Sequence, residues 1–153
     1  MTRYFEDFQV GDTFNLGSTS ATQEEIIAFA RQFDPQPFHT DPERAKDSFF
    51  GELIASGWHT TALFMRLLVD GLISETVSMG SPGVDEVHWI RPVRPDEVLL
   101  GRFTVLDSKA SKSRANLGII RSKCELLNST GEVVMSLQGT HFFGRRPNTS
   151  TGS

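Results

Sequence analysis

A single cysteine, Cys124, is all the thiol this chain contains, so no intrachain disulfide can form, and no Cys-x-x-Cys pair or Cys/His cluster points to zinc. Long apolar runs are equally scarce. The longest, Ala62 to Ile73, is interrupted by Arg66, Asp70 and Gly71 and falls well short of a bilayer-spanning helix. No polybasic stretch occurs either; Lys and Arg are scattered through a chain of formal charge −4, which argues against a nucleic-acid footprint or a membrane-surface anchor. Met1 to Val10 carries Glu6 and Asp7 and lacks the apolar segment of a secretory signal. These absences predict a cytoplasmic protein whose partners include neither nucleic acid nor membrane. What the chain does have, in 153 residues, is 38% apolar residues and twelve Phe, enough for one core without metal or disulfide staples. One domain is expected over 1–146, with a small polar tail over 147–153.

The first half reads as helical. After a turn at Val10-Gly11-Asp12 and a short strand from Thr13 to Leu16, Thr22 and Glu25 form a capping box that opens a helix running to about Phe33. Pro35 and Pro37 then bias Asp34 and Gln36 away from helical angles and predict a rigid loop. Thr40 or Asp41 can cap a short helix from Pro42 to about Lys46. The most apolar helix spans Gly57 to about Leu72, and its shortage of polar positions predicts that it is mostly buried. The period then changes to two. Strands are expected around Val87 and Trp89, over Leu99 to Val105, over Gly118 to Leu126 and over Val133 to Phe143, separated by polar turns at Lys109 to Ala115 and Asn128 to Gly131. Such strands meander antiparallel, and their apolar face needs the long helix as its cover.

Chemistry concentrates in Phe33-Asp34-Pro35-Gln36-Pro37-Phe38-His39 and in Ser56-Gly57 at the start of that helix. A carboxylate, an imidazole and a glycine N–H are the parts needed to add water across a polarised double bond. Each residue alone has a plainer reading. Asp-Pro ends helices, a histidine before a capped helix is usually a turn residue, glycine permits tight packing, and Ser56 suits an N-cap. His59, His88 and His141 stand outside any motif, and Cys124 reads as a small core residue.

The pattern Asp34-Pro35-Gln36-Pro37-Phe38-His39, then Ala45, then Ile54-Ala55-Ser56-Gly57, resembles the MaoC-like or (R)-specific enoyl-CoA hydratase family. Similarity extends from Phe5-Glu6-Asp7-Phe8 through Trp89-Ile90-Arg91-Pro92-Val93 to about Phe143. The resemblance implies an α+β hot-dog fold, a curved antiparallel sheet wrapped around a long central helix. It implies a lyase in which Asp34 and His39 hold and activate water, Gly57 N–H contacts the thioester oxygen, and Ser56 and Gln36 serve substrate binding. No metal or redox cofactor is implied, coenzyme A entering as part of an acyl-CoA thioester substrate, and a homodimer or larger homo-oligomer is the expected assembly. Phe33 and Gln36 depart from the family's usual Gly and Asn, and Ser56 from its frequent His. An acyl-CoA thioesterase and a non-catalytic acyl-CoA-binding subunit stay open as alternatives on the same framework. Arg91, Arg94, Arg102, Lys109, Lys112 and Arg114 stay open as phosphate contacts.

Overall fold

Alternation of apolar and polar residues after Gly83 produces four long strands that pair with an earlier one into a single antiparallel sheet. In the computed structural model, which describes residues 1–147, the strands are β1 (Thr13–Thr19), β2 (Gly83–Trp89), β3 (Leu99–Ala110), β4 (Leu117–Leu127) and β5 (Val133–Gly144). Their order across the sheet is β1-β3-β4-β5-β2, with every pairing antiparallel. Helices α1 (Gln23–Phe33), α2 (Pro37–Thr40), α3 (Pro42–Ala45) and α4 (Gly57–Gly71) lie between β1 and β2 in the chain. Period-two side chains from Phe103, Val105, Ile120, Cys124, Met135, Leu137 and Phe143 make the buried face, and Phe64, Leu67 and Leu68 of α4 pack onto it. This is the α+β hot-dog arrangement. Among the described residues no helix is long and apolar enough to cross a membrane.

Aromatic packing anchors one end of the core. The Phe8 ring lies 4.7 Å from Phe143 and 6.5 Å from Phe103, centroid to centroid. Phe5 sits flat on Gly118 of β4, where a Cβ would fall 2.1 Å from its ring. The short turn at the amino end is therefore fitted to a glycine that the strand pattern alone would tolerate as anything small.

Several expectations shift in detail. The first strand reaches Thr19 rather than Leu16, β2 begins at Gly83 rather than near Val87, and β3 continues to Ala110 past a bulge between Val105 and Asp107. The bulge absorbs an extra residue and lets the polar end of the strand keep pairing with β4. The predicted rigid loop is half helical: Pro37 sits at the first position of α2, so His39 rides on a helical turn and not on extended chain. Asp41, not Thr40, caps α3, accepting from the N–H groups of Glu43 and Arg44, and α3 stops at Ala45. Helix α4 is less enclosed than its composition predicts. Phe64, Leu67 and Leu68 are buried, but Trp58 is 59% exposed and Met65 48% exposed, so the helix has an apolar flank turned outward. The tail expected after the domain falls, from residue 148 on, outside the described residues.

Besides His39, two histidines are buried. His59 on α4 stacks on Phe29 with centroids 4.6 Å apart, and among the described residues its Nδ1 has no partner. His141 on β5 shares a hydrogen bond with Ser122 Oγ at 2.8 Å. Burial, reinforced by the charge of Arg121, pushes the His141 imidazole down from 6.5 to about 4. Between those values the unfolded chain binds the proton and the folded one does not, so stability is complete above the upper value and is lost as pH falls toward the lower. The linkage amounts to about 3 kcal/mol over that window. Denaturant midpoints should therefore fall on acidification through this range, and less steeply in His141→Gln; identical slopes for the two proteins would show that His141 does not stay neutral in the fold.

Candidate functional site

Helix α1 ends where Pro35 forbids its continuation, leaving Asp34 at the C-cap with a non-helical backbone. Its N–H still bonds the Ala30 carbonyl at 2.7 Å, which fixes where the carboxylate starts. The next turn, α2, carries His39 back toward it. Asp34 Oδ2 and His39 Nε2 stand 3.4 Å apart, with the His39 side chain almost fully enclosed and that of Asp34 19% exposed.

Each member of the pair is held from behind. His39 Nδ1 faces the Ile54 carbonyl at 2.7 Å. A carbonyl only accepts, so Nδ1 carries the proton and Nε2 of the neutral ring presents a lone pair. Ser56 Oγ donates to Asp34 Oδ2 and Gln36 Nε2 donates to Asp34 Oδ1, both at 2.7 Å. Burial alone would raise the Asp34 carboxyl, but the hydrogen bonds donated by Gln36 and Ser56 outweigh it and hold the group below the ordinary aspartate value. With the ring in its neutral form, the site consists of an anionic carboxylate and a bare imidazole nitrogen side by side. Two acceptors that close are satisfied together by a molecule that donates two hydrogens, and water is the smallest that does.

Gly57 opens α4, and the Ser56 hydroxyl that donates to Asp34 also accepts from the Trp58 N–H at 3.3 Å. One residue therefore caps the helix and orients the carboxylate. The Gly57 N–H lies at the first helical position, where no intrahelical acceptor exists and the helix dipole is positive. An indole covers the glycine: a Cβ there would lie 2.3 Å from Trp89 Cδ2. Trp89 Nε1 donates to Thr61 Oγ1 at 3.0 Å, and Thr61 Oγ1 donates in turn to the Gly57 carbonyl at 3.0 Å.

These groups meet in a cleft of about 620 Å³ lined by Asp34, Gln36, His39 and Gly57 and walled by Phe38, Trp58, Trp89 and Val93. Phe49 and Phe50 stand at its edge, Phe49 almost fully exposed. Asp34, His39, Gly57 and Gln36 thus come together as side chains or backbone facing one space. Ser56 is fully buried and reaches that space only through Asp34. Among the open basic residues Arg91 lines the cleft, paired with Glu132 at 2.7 Å, while Arg94 pairs with Glu52 and Arg102 with Glu125. Sequence reasoning passed over Trp89 and Thr61, which set the ceiling over Gly57; the signal available was an aromatic at the end of a strand just before Pro92. Cys124 is buried, and desolvation pushes its thiol up to about 12, so it is inert as a nucleophile.

Residues 7–123 match the family described as MaoC like domain. An uncharacterized protein of Bacillus subtilis (strain 168), YdeM, is 32% identical over 116 residues, covering 75% of this chain and 80% of that protein. The crystal structure of a MaoC-like dehydratase from Rhodospirillum rubrum superposes with a TM-score of 0.84 at 42% identity, over 95% of this chain and 99% of the other. The unliganded R-hydratase PhaJ1 from Pseudomonas aeruginosa shares the fold, with a TM-score of 0.71 at 22% identity over 97% and 96% of the two chains.

Proposed function

Because the chain belongs to the MaoC-like domain family, we propose that it is a hydro-lyase adding water reversibly to a trans-2-enoyl-CoA to give the (R)-3-hydroxyacyl-CoA. The observation that carries this reading is the juxtaposition of Asp34 Oδ2 and His39 Nε2 at 3.4 Å, with the imidazole proton committed to the Ile54 carbonyl. Water donating to both acceptors keeps its lone pairs free for C3 of the enoyl group. As the O–C3 bond forms, the C2=C3 π electrons move toward the thioester oxygen, and a proton leaves the water for the dyad. The same dyad returns a proton to C2, so the elements of water are added with no other reactant. The Gly57 N–H, at the positive end of α4, is suited to the enolate oxygen that develops in between, a contact worth about 2.7–4 kcal/mol where such donors have been removed from other enzymes. Gln36 and Ser56 act in this scheme by keeping the carboxylate ionised and aimed.

Loss of enone absorbance on mixing the protein with crotonyl-CoA and longer enoyl-CoAs, with no release of free thiol, is the expected result. Thiol release without loss of the enone would identify a thioesterase, and neither signal across the panel would leave a binding subunit.

A homodimer belongs to the same reading. Strand β2 is a sheet edge, and Val84 on it is 51% exposed beside the outward flank of α4. Two copies joined at β2 would cover both features and close the mouth of the cleft. Light scattering should give twice the 17.0 kDa chain mass; a monomer with full activity would remove the shared cleft. The lone buried thiol suits a reducing, cytoplasmic setting.

A further inference from the structure

A second cavity of about 240 Å³ lies between α4 and the sheet, and it is larger than the roughly 150 Å³ apolar cavity known to accept benzene. Its walls include Phe64, Leu68, Val84 and Leu137. One wall is polar: His141, 8% exposed, faces this space. The ring is clamped between Phe103 and Phe143, with centroids at 5.2 and 5.7 Å. Its Nε2 meets Ser122 Oγ at 2.8 Å, and Cys124 Sγ lies 3.3 Å from that same oxygen. Ser122 has one proton to give, and imidazole is a far better acceptor than sulfur. The arrangement that uses the stronger acceptor runs from Cys124 S–H to Ser122 and from Ser122 O–H to His141 Nε2. That leaves Nδ1 protonated, and among the described residues it has no hydrogen-bond partner. Gly139 makes room for the arrangement, since a Cβ there would fall 2.8 Å from His141 Nε2 and 3.2 Å from Ser122 Oγ.

The cavity follows the catalytic cleft along α4, and the two share no lining residue. Thr61, which lines it, is one helical turn past Gly57, and Phe64 and Leu68 follow on the next turns of the same face. Trp89, bonded to Thr61, stands at the boundary between the two spaces. An acyl group whose thioester sits at Gly57 reaches this cavity by parting the Trp89–Thr61 hydrogen bond.

We propose that His141 is a specificity residue that donates its Nδ1–H to a neutral oxygen carried on the acyl group, so that the substrate class is an oxygenated enoyl-CoA rather than a plain alkyl one. The inference rests on the hydratase reading for the placement of the thioester. A purely alkyl chain would fill the cavity and leave a buried N–H unpaired, whereas a keto or hydroxyl oxygen satisfies it. A carboxylate is disfavoured, because a single neutral donor in apolar walls does not compensate its desolvation. The imidazole stays neutral at physiological pH, since burial holds it at about 4. Of the other wall hydroxyls, those of Thr61 and Ser81 already have partners, and that of Ser78 also faces the space.

Calorimetry with saturated acyl-CoAs, each compared with keto analogues bearing the oxygen at successive positions, tests the proposal without turnover. One position of the keto group should bind about tenfold tighter than the plain chain, the scale of one buried hydrogen bond. His141→Leu should erase that preference, and His141→Gln, which keeps an N–H, should retain part of it. The imidazole Nδ1 signal in ¹⁵N NMR should move with the keto ligand and not with its alkyl counterpart. No preference at any position, or the same preference in His141→Leu, would overturn the assignment. If that variant does not fold, the wild-type NMR shift decides, and its absence overturns the assignment equally. Keto preference without hydration would remove the lyase reading alone, hydration without preference would remove this inference alone, and no acyl-CoA binding would remove both.

Discussion

Asp34→Asn is expected to lower kcat/KM for enoyl-CoA hydration by about 10²–10⁴-fold, the range that positioned acid–base groups contribute. The substitution keeps the shape of the side chain and removes its charge. Ser56 and Gln36 both donate to this carboxylate, so an amide, with one oxygen, leaves one of them without an acceptor. His39→Ala should cost a similar factor in rate. It also strands the Ile54 carbonyl, so about 1–3 kcal/mol of stability should go with it, measurable by denaturant titration. If both groups hold one water, the double variant should be little worse than either single one, because residues acting as a unit are not additive. The pH profile adds a separate check. Activity needs Asp34 ionised, and its pKa lies below the ordinary value, so the acidic limb should begin lower than for a free aspartate and vanish in Asp34→Asn. Undiminished rates in both single variants would exclude the pair as the site of chemistry.

Gly57→Ala should be the most damaging change of a single methyl. The new Cβ would lie 2.3–2.7 Å from three atoms of the Trp89 indole, closer than packed atoms tolerate. The ring cannot simply swing away, because its Nε1 is bonded to Thr61 and it packs edge-to-face with Trp58 at a centroid distance of 5.0 Å. Relief therefore requires the indole to leave its hydrogen bond or α4 to shift at its first turn. The first outcome costs about 1–3 kcal/mol of stability. The second moves the N–H proposed for the enolate, with a loss of about 10²–10³ in kcat. Adding Trp89→Ala to Gly57→Ala should restore thermal stability toward that of Trp89→Ala alone, a coupling that a double-mutant cycle measures. A Gly57→Ala protein with wild-type melting and kinetics would mean that neither the close approach nor the N–H position matters.

Much of the fold was legible along the chain because local rules coincide with the global arrangement. The Thr22–Glu25 capping box is present with both of its bonds, at 2.9 and 3.1 Å, and the change from helical period to period two separates the layers. Asp34, His39 and Gly57 could be singled out because two prolines and a helix start leave few conformations for the chain between them. The exposure of Trp58 and Met65 could not be read in the same way, since an apolar residue is equally compatible with a core or with a surface that a second chain would cover. Gln36 was expected at the substrate and is found against Asp34 while also lining the cleft. Its extra methylene relative to asparagine is consistent with an amide that reaches back to the carboxylate.

The sequence by itself determined the types of the longer elements, the antiparallel α+β layout and the two short segments that bear the chemistry, because spacing, capping and proline geometry act over a few residues. Only the tertiary structure decided which proton His39 keeps, that Ser56 serves Asp34, and that Trp89 roofs Gly57, since each depends on groups distant in the chain. It also decided the role open to His141. On a strand the residue is one more alternating position, and its free nitrogen acquires meaning only once Ser122, Gly139 and α4 enclose it.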